Sequence, residues 1–338
     1  MVNVAILGAS GFVGGELLRL CAGHPELQPT HLFGESRAGS SVAEVHPHLA
    51  LAYSDRVIER FGAHLPDGVD LVLAALPHGH SQTIARDIMR RGIPFVDLGA
   101  DFRLSGAQEY ARWYGEPHRA PDLISRFVYG IPELNRSSIA TARSVAAAGC
   151  YPTAAILALK PLIDAGLIVK DSVIVDAASG VSGAGRGPKE STAFSSVAES
   201  FSAYGLLTHR HTAEMQENLG TELIFTPHLA PMNRGILATC YGQAAYPMAD
   251  GEPEGVLRAA YADEPFIHVS REPPSTKWTL GSNMVQIAAR YDPRTKRVVV
   301  ICALDNLVKG ASGQMIQCAN LMLGLDETRG LPVCGVYP

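Results

Sequence analysis

The chain has 338 residues, 47% of them hydrophobic and 18% charged, a globular composition long enough for two domains. Its formal net charge of −5 provides no basic footprint for nucleic acid or an anionic membrane surface. Six cysteines are scattered at 21, 150, 240, 302, 318 and 334 with no CxxC pair, which argues against a disulfide scaffold or zinc site and for a reducing cytoplasm.

Val2 to Leu7 reads as a short apolar strand, with neither the basic flank nor the cleavage site of a signal peptide. No apolar run reaches the roughly 20 residues that span a bilayer. Gly8-Ala9-Ser10-Gly11-Phe12-Val13-Gly14 follows at once, and Glu16 to Cys21 has the pattern of an amphipathic helix. Strand, glycine turn and helix in this order form a dinucleotide-binding unit: the turn lets backbone approach a pyrophosphate, and the helix N-terminus offers free N–H groups. Gly8, Ser10, Gly11, Phe12, Val13 and Gly14 are therefore cofactor candidates. A second strand, Thr30 to Gly34, leads to Glu35-Ser36-Arg37. An acidic residue there suits the ribose of NAD, and an arginine suits the 2′-phosphate of NADP. Both are present; Ser36 and Arg37 favour NADP(H).

Val69 to Leu76 is a continuous apolar run, as a buried parallel strand should be. It ends at Pro77-His78-Gly79, placed to cover the cofactor at the carboxyl end of the sheet. His78 and His80 lack the partners of a metal site, and no metal is expected. Phe95 to Gly99 is a further strand, and Arg103 in the loop after it is an anion contact or an ion-pair partner of Asp97 or Asp101. Tyr110 to Tyr129 reads as an irregular surface excursion. Ser144 to Ala148 leads into Gly149-Cys150, and Thr153 to Leu162 reads as a helix. Cys150 thus falls at a strand-to-helix junction, where N–H groups stabilise a thiolate; the other cysteines have no such setting.

Val173 to Ala178 is a strand, and the glycine-serine loop through Ser182, Gly183 and Arg186 presents N–H groups and a guanidinium to an anion. Thr208-His209-Arg210-His211 opens a helix that Thr208 is expected to cap. His211 and Glu214 are three apart on one face. A cysteine with a nearby histidine oriented by a carboxylate is a nucleophile–base pair; the sequence does not fix which of His209 and His211 is the acid–base group. Strand patterns after Thr226, at Val285 to Arg290 and at Val298 to Ala303 predict a mixed, largely antiparallel sheet that supplies substrate residues and a subunit interface. Asn306 to Gln314 opens a helix expected to return to the nucleotide domain. The fold class is α/β: a Rossmann-type parallel-sheet domain, residues 1–149 and 310–338, and a catalytic and dimerisation α/β domain, residues 150–309.

The segments GASGFVGGE, ALPHGHS, GADFRL, YGIPELN, GCYPTAA, SGVSGAGR, THRHTAE, FTPHLAPMNRGIL and DNLVKGASGQMIQCANLMLGL, in this order over nearly the whole chain, closely resemble the bacterial N-acetyl-γ-glutamyl-phosphate reductase family. Its wider relatives are aspartate-semialdehyde dehydrogenase and glyceraldehyde-3-phosphate dehydrogenase. The resemblance implies NADP-dependent reduction of an acyl phosphate to a semialdehyde with release of inorganic phosphate, and a cytoplasmic homodimer or homotetramer. It matches Cys150 to the nucleophile, His209 and His211 to the His-Arg-His motif and Gly8 to Gly14 to the cofactor turn; beside these, the residues themselves make Glu214 a candidate of the acid–base cluster, Tyr151, Arg103, Arg186 and Arg210 candidates toward substrate, and Ser182, Gly183, Asn306 and Gln314 candidates toward cofactor. Ala148 and Ala213 stand where the family commonly has proline. Two other readings keep this sequence pattern: the same chemistry on aspartyl phosphate or a carrier-protein-linked acyl phosphate, and a non-catalytic NADP-binding sensor.

Overall fold

The computed structural model describes residues 1–62 and 64–337. Residues 1–148 and 311–331 form one compact unit, and residues 149–310 with the chain from Pro332 onward form a second. The sequence reading placed 310–338 wholly with the first. The tail departs because Asn283 N–H donates to the Pro332 carbonyl at 2.8 Å and Val336 N–H to that of Leu280 at 2.7 Å.

The first unit opens with β1 (Val2–Leu7), α1 (Phe12–Ala22), β2 (Leu27–Phe33) and a single turn of helix, α2 (Val42–Val45). It continues through β3 (Leu71–Ala74), α3 (Ser81–Arg90), β4 (Phe95–Asp97) and α4 (Ala107–Tyr114) to β5 (Val128–Gly130), α5 (Pro132–Thr141) and β6 (Ser144–Ala147). The sheet order is β2-β1-β3-β4-β6-β5, and every pairing is parallel. Strand β3 is buried at every residue, which is why it reads as an unbroken apolar run. The chain leaves β1 toward β2, then crosses to β3 on the other side. The loops after β1 and β3 therefore meet at the point where strand order reverses, the usual ligand position in such sheets. The C-terminal helix Gly313–Met322 belongs to this unit: its residues through Asn320 are buried, and Ser312 Oγ donates to the Val13 carbonyl at 3.0 Å.

The stretch 110–129 is not an irregular surface excursion. It holds the end of α4 and a 3-10 segment, Pro121–Arg126. Tyr110 is buried, stacked on Tyr114 at 4.4 Å between ring centroids and edge-on to His118 at 4.8 Å. An aromatic body with one polar tip packs inside once the tip has a partner; the Tyr110 hydroxyl meets Asp101 at 3.2 Å.

The second unit runs α6 (Cys150–Asp164), β7 (Val173–Gly180), α7 (Phe194–Val197), β8 (Ser202–Ala203), α8 (His211–Leu219) and β9 (Leu223–Ala230). It then adds β10 (Ile236–Gln243), α9 (Glu252–Ala260), β11 (Ile267–Val269), β12 (Val285–Asp292) and β13 (Arg297–Leu304); α10 is the helix Gly313–Met322. The sheet order is β11-β12-β13-β10-β7-β9-β8. It is mixed, with parallel pairs only at β11–β12 and β7–β9. Helix α6 is buried from Tyr151 to Leu159, so it is apolar on every side rather than amphipathic. Strands β7, β9 and β10 alternate buried and less buried residues. One face is therefore packed, and the other leaves Ile174 and Ile224 exposed. Among the described residues no helix is long and apolar enough to cross a membrane.

Candidate active site

In the first unit the turn between β1 and α1 is shaped by what cannot fit. Gly8 has φ +90°, and a Cβ on it would overlap the Ala75 carbonyl oxygen; a Cβ on Gly14 would overlap the carbonyl oxygen of Gly8. Gly11 is the N-cap and supplies no capping side chain, so the positive end of α1 faces this turn. These residues fit a dinucleotide pyrophosphate. His46 braces the turn: its ring is wholly buried against Gly15, and Nε2–H donates to the Ala9 carbonyl at 2.8 Å. No sequence signal marks this histidine.

Beyond β2, Glu35, Ser36 and Arg37 are all exposed. Arg60, which the sequence reading did not single out, lies 3.7 Å from the Glu35 carboxylate, so the acidic residue at the ribose end already faces a cation. At the end of β3, Pro77 and His78 are exposed and Gly79 is buried. That loop is tied down by Asp101, whose carboxylate accepts from Gly79 N–H at 2.6 Å, Gln82 Nε2 at 3.1 Å and the Tyr110 hydroxyl. Arg103 is buried and donates to the Leu98 carbonyl at 2.6 Å. Asp97, also buried, accepts from the Ser81 hydroxyl at 2.7 Å and Gly99 N–H at 2.9 Å; burial nevertheless pushes its carboxyl up to about 7. Gln314 Nε2 reaches the Ala148 carbonyl at 3.4 Å.

In the second unit Cys150 is the first residue of α6, not a residue before it, and Gly149 is the N-cap. Its thiol is half-buried, whereas Cys21, Cys240, Cys302 and Cys318 are buried and Cys334 is exposed. Burial pushes Cys21 and Cys240 up to about 12 and Cys302 well above the ordinary thiol range, which leaves them inert. Glu214 pins the junction: its carboxylate accepts the Gly149 N–H at 2.7 Å. Thr153 Oγ1 donates to the Gly149 carbonyl at 2.9 Å. On the other side a Cβ on Gly310 would stand 2.8 Å from that of Cys150, so only glycine leaves the cysteine its place.

The structure brings His209 and His211 together, ring centroids 4.8 Å apart, with Tyr151 edge-on to both at 5.8 and 6.0 Å. Thr208 does not cap α8. The helix begins at His211 with Arg210 at the cap position, and the His211 N–H goes to His209 Nδ1 at 3.2 Å. Burial and the neighbouring Arg210 bring His209 down to about 4. Two residues here escaped the sequence reading. Phe225 of β9 lies 5.3 Å from the His209 ring. Tyr204 donates from its hydroxyl to that of Tyr151 at 3.1 Å, which in turn donates to the His228 carbonyl at 3.1 Å. Arg186 and Arg210 are exposed. Asn306 Nδ2 donates to Ser182 Oγ at 2.9 Å, and its Oδ1 accepts the Gly235 N–H at 2.7 Å. A Cβ on Gly183 would sit 3.0 Å from Ser179 Oγ.

Residues 3–142 match the family described as semialdehyde dehydrogenase, NAD binding domain, and residues 150–306 match semialdehyde dehydrogenase, dimerisation domain. The N-acetyl-gamma-glutamyl-phosphate reductase of Desulforudis audaxviator is 46% identical over 347 residues, covering 100% of both chains. That of Rhodospirillum rubrum is 46% identical over 349 residues, covering 100% of this chain and 99% of its own. The chain belongs to the N-acetyl-gamma-glutamyl-phosphate reductase family. It is an oxidoreductase of the semialdehyde dehydrogenase type. Aspartate semialdehyde dehydrogenase II of Vibrio cholerae, complexed with ASA, shares the fold at TM-score 0.72 and 18% identity, over 96% of this chain and 98% of its own. The Candida albicans aspartate semialdehyde dehydrogenase with NADP does so at 0.69 and 15%, over 96% and 99%.

Proposed function

We propose that the chain carries out its family's reaction in arginine biosynthesis: NADPH-dependent reduction of N-acetyl-γ-glutamyl phosphate to the γ-semialdehyde, with release of inorganic phosphate. The observation that carries this reading is the half-open Cys150 at the first position of α6, in the same unit as the paired imidazoles of His209 and His211.

The Cys150 thiolate, favoured by the positive end of α6, attacks the acyl carbon. The carbon–oxygen bond to phosphate then breaks, its electron pair leaves with the phosphate, and a thioester on Sγ remains. Pro152 has no N–H and that of Thr153 goes to the Gly149 carbonyl at 2.9 Å, so the main-chain N–H groups of Cys150 and Tyr151 are the candidate donors for the tetrahedral oxyanion; losing one such donor typically costs about 10²–10³ in rate. Arg186, Arg210 and Arg103 are the candidate cations for the phosphate and the substrate carboxylate. NADPH, when bound, would supply the hydride to the thioester carbon, and the histidine pair gives the resulting oxyanion the proton that makes it a thiohemiacetal. Collapse of that adduct returns the carbon–sulfur pair to Cys150 and passes the hydroxyl proton to the histidine pair, freeing the aldehyde. Splitting one reduction into acyl transfer and thioester reduction lowers the barrier of each.

The residues that would hold the cofactor are Gly8, Ser10, Gly11, Phe12, Val13 and Gly14 at the pyrophosphate, Ser36 and Arg37 with Arg60 at a 2′-phosphate, and Pro77, His78 and Gly79 above it. Ser182, Gly183 and Asn306 in the second unit and Gln314 in the first are further candidates from the sequence. NADP is preferred because Arg60 faces Glu35, adding a second cation at that end. The open face of the second unit's sheet, with Ile174 and Ile224 exposed, supports a homodimer or a tetramer built from it. The test is NADP reduction at 340 nm with N-acetylglutamate semialdehyde and phosphate, compared with aspartate semialdehyde. Phosphate-dependent signal from the acetylated substrate alone is expected. Signal from aspartate semialdehyde alone would overturn the substrate, and none from either would overturn the activity.

A further inference from the structure

We infer that Asp305 is a positioning residue for the reaction: through a single turn of π-helix it holds the backbone wall that fixes the side chain of Cys150. This rests on the covalent reading of Cys150 and extends it to the carboxylate at the end of β13.

The turn is built around one carboxylate. Strand β13 ends at Leu304, and Val308–Ser312 forms a single turn of π-helix. The Gly310 N–H closes it on the Asp305 carbonyl at 2.9 Å. Such turns are rare and recur at functional sites, and this one is held by side chains. Asp305 is fully buried, and its two oxygens serve different partners. Oδ1 accepts from the N–H groups of Leu307 at 2.8 Å and Val308 at 3.2 Å, the pattern of a helix cap. Oδ2 accepts from the Gly281 N–H at 2.7 Å and from Arg234 Nη1 at 3.5 Å. Next to Gly281, the Leu280 carbonyl takes the Val336 N–H at 2.7 Å. One carboxylate therefore ties the π-turn to two other loops. Lys309, inside the turn, is also fully buried, with its ammonium 5.8 Å over the Phe266 ring, a cation–π contact that anchors the turn a second time.

What the turn carries is Gly310. A Cβ there would stand 2.8 Å from the Cβ of Cys150, 3.3 Å from its Cα and 3.3 Å from Leu304 Cδ1. The Gly310 backbone thus packs on the two atoms that set the χ1 rotamer of the thiol. Within a helix the preceding turn restricts χ1. Cys150 is the first residue of α6 and has no preceding helical turn. The restriction comes from elsewhere in the fold, and Gly310 supplies it. A misplacement of about 1 Å can cost about 10² in rate, and a slack π-turn would allow the sulfur such a shift. Asparagine at 305 would keep one acceptor for Leu307 and Val308, but would turn an NH₂ group toward two donors, the Gly281 N–H and Arg234. Alanine would leave all of these partners without their acceptor.

The test uses the full-length enzyme. Turnover is followed as NADP reduction with N-acetylglutamate semialdehyde and phosphate, and iodoacetamide labelling of Cys150 by mass spectrometry of its peptide. Asp305→Asn should lower kcat about 10-fold and Asp305→Ala about 100-fold, with KM within about twofold of the parent. Iodoacetamide is small and approaches from any side, so in both variants Cys150 should label within about threefold of the parent rate. The thiol stays reactive and is no longer aimed. A kcat within about twofold of the parent in Asp305→Asn would leave Asp305 a purely structural role and overturn the inference. Labelling that slows in step with kcat would also overturn it, by showing that the carboxylate acts on ionisation and not on place. Gly310→Ala tests the route. If Asp305 acts through the turn, the double variant Asp305→Asn with Gly310→Ala loses less than the product of the two single losses; losses that multiply would overturn it. Where an alanine variant does not fold, Asp305→Asn decides alone, by the ratio of kcat to labelling rate. A Cys150→Ser enzyme that still turns over would sink the covalent reading and this inference with it. Unchanged turnover in Asp305→Asn, in an enzyme that needs Cys150, would sink the inference alone.

Discussion

Helices α1 and α6, one in each unit, both follow a glycine at the N-cap, and their junctions are fixed by different means. Before α1 the turn is held by shape: Gly8 and Gly14 lie where a Cβ would strike a neighbouring carbonyl. Before α6 the junction is held by charge: the Gly149 N–H is taken by a carboxylate 65 positions away in the chain, at 2.7 Å. A surface that must admit a pyrophosphate works by leaving room and leaving donors open. A covalent nucleophile needs one atom kept in one place, and a charge-assisted hydrogen bond to its neighbour does that.

The comparison can be broken most directly at Cys150. Cys150→Ser is expected to lower turnover by more than about 10⁴-fold, the scale seen when a nucleophile is removed. NADPH binding, measured by fluorescence titration, should stay within about twofold; a parallel loss of cofactor affinity would mean that the two junctions are not independent. The next test sets the two means of support against each other. Glu214→Ala should slow both kcat and alkylation of Cys150 about 10- to 100-fold, the worth of one hydrogen bond to a charged group, with glutamine partly restoring both. Gly8→Ala should do the opposite, raising the NADPH dissociation constant by a similar factor while Cys150 alkylates normally.

The smallest expected effect sharpens the contrast by pH. Asp97 lies in the first unit, and burial raises its carboxyl from 3.8 to about 7. Between those values the native state binds the proton more tightly than the unfolded chain does. This group's contribution is therefore full below about 4 and is lost as pH rises through about 7. Asp97→Asn should melt about 2–6 °C above the parent at pH 8, with the gain shrinking toward pH 5, as followed by calorimetry. A gain equal at both pH values would show that the carboxyl is not the cause.

The same contrast explains what could be read from the sequence. The turn after β1 is written in seven consecutive residues, because steric constraints act on the residue that suffers them. The parallel strands were legible as apolar runs, since burial on both faces leaves no alternation to misread. Cys150 stood out by its glycine and its place after a strand. What pins it did not, because neither Glu214 nor Gly310 is near it in the chain. The start of α8 was misplaced for a related reason. Thr208 has the chemistry of a cap, but the N–H of His211 went to an imidazole that three other aromatic residues hold in position. Tyr110 was read as surface because its burial depends on Asp101 and His118, contacts no local pattern records.

The distribution of sulfur has a consequence under oxidative stress. Four of the six thiols are walled into the core, and those of Cys21, Cys240 and Cys302 are further protected by their resistance to ionisation. Peroxide would therefore meet Cys150 and the exposed Cys334 first, and if Cys150 is the proposed nucleophile, its thiolate would be equally open to becoming a sulfenic acid. On that proposal, activity would fail under a mild oxidant while the protein remained folded, and a reductant supplied before over-oxidation would bring it back.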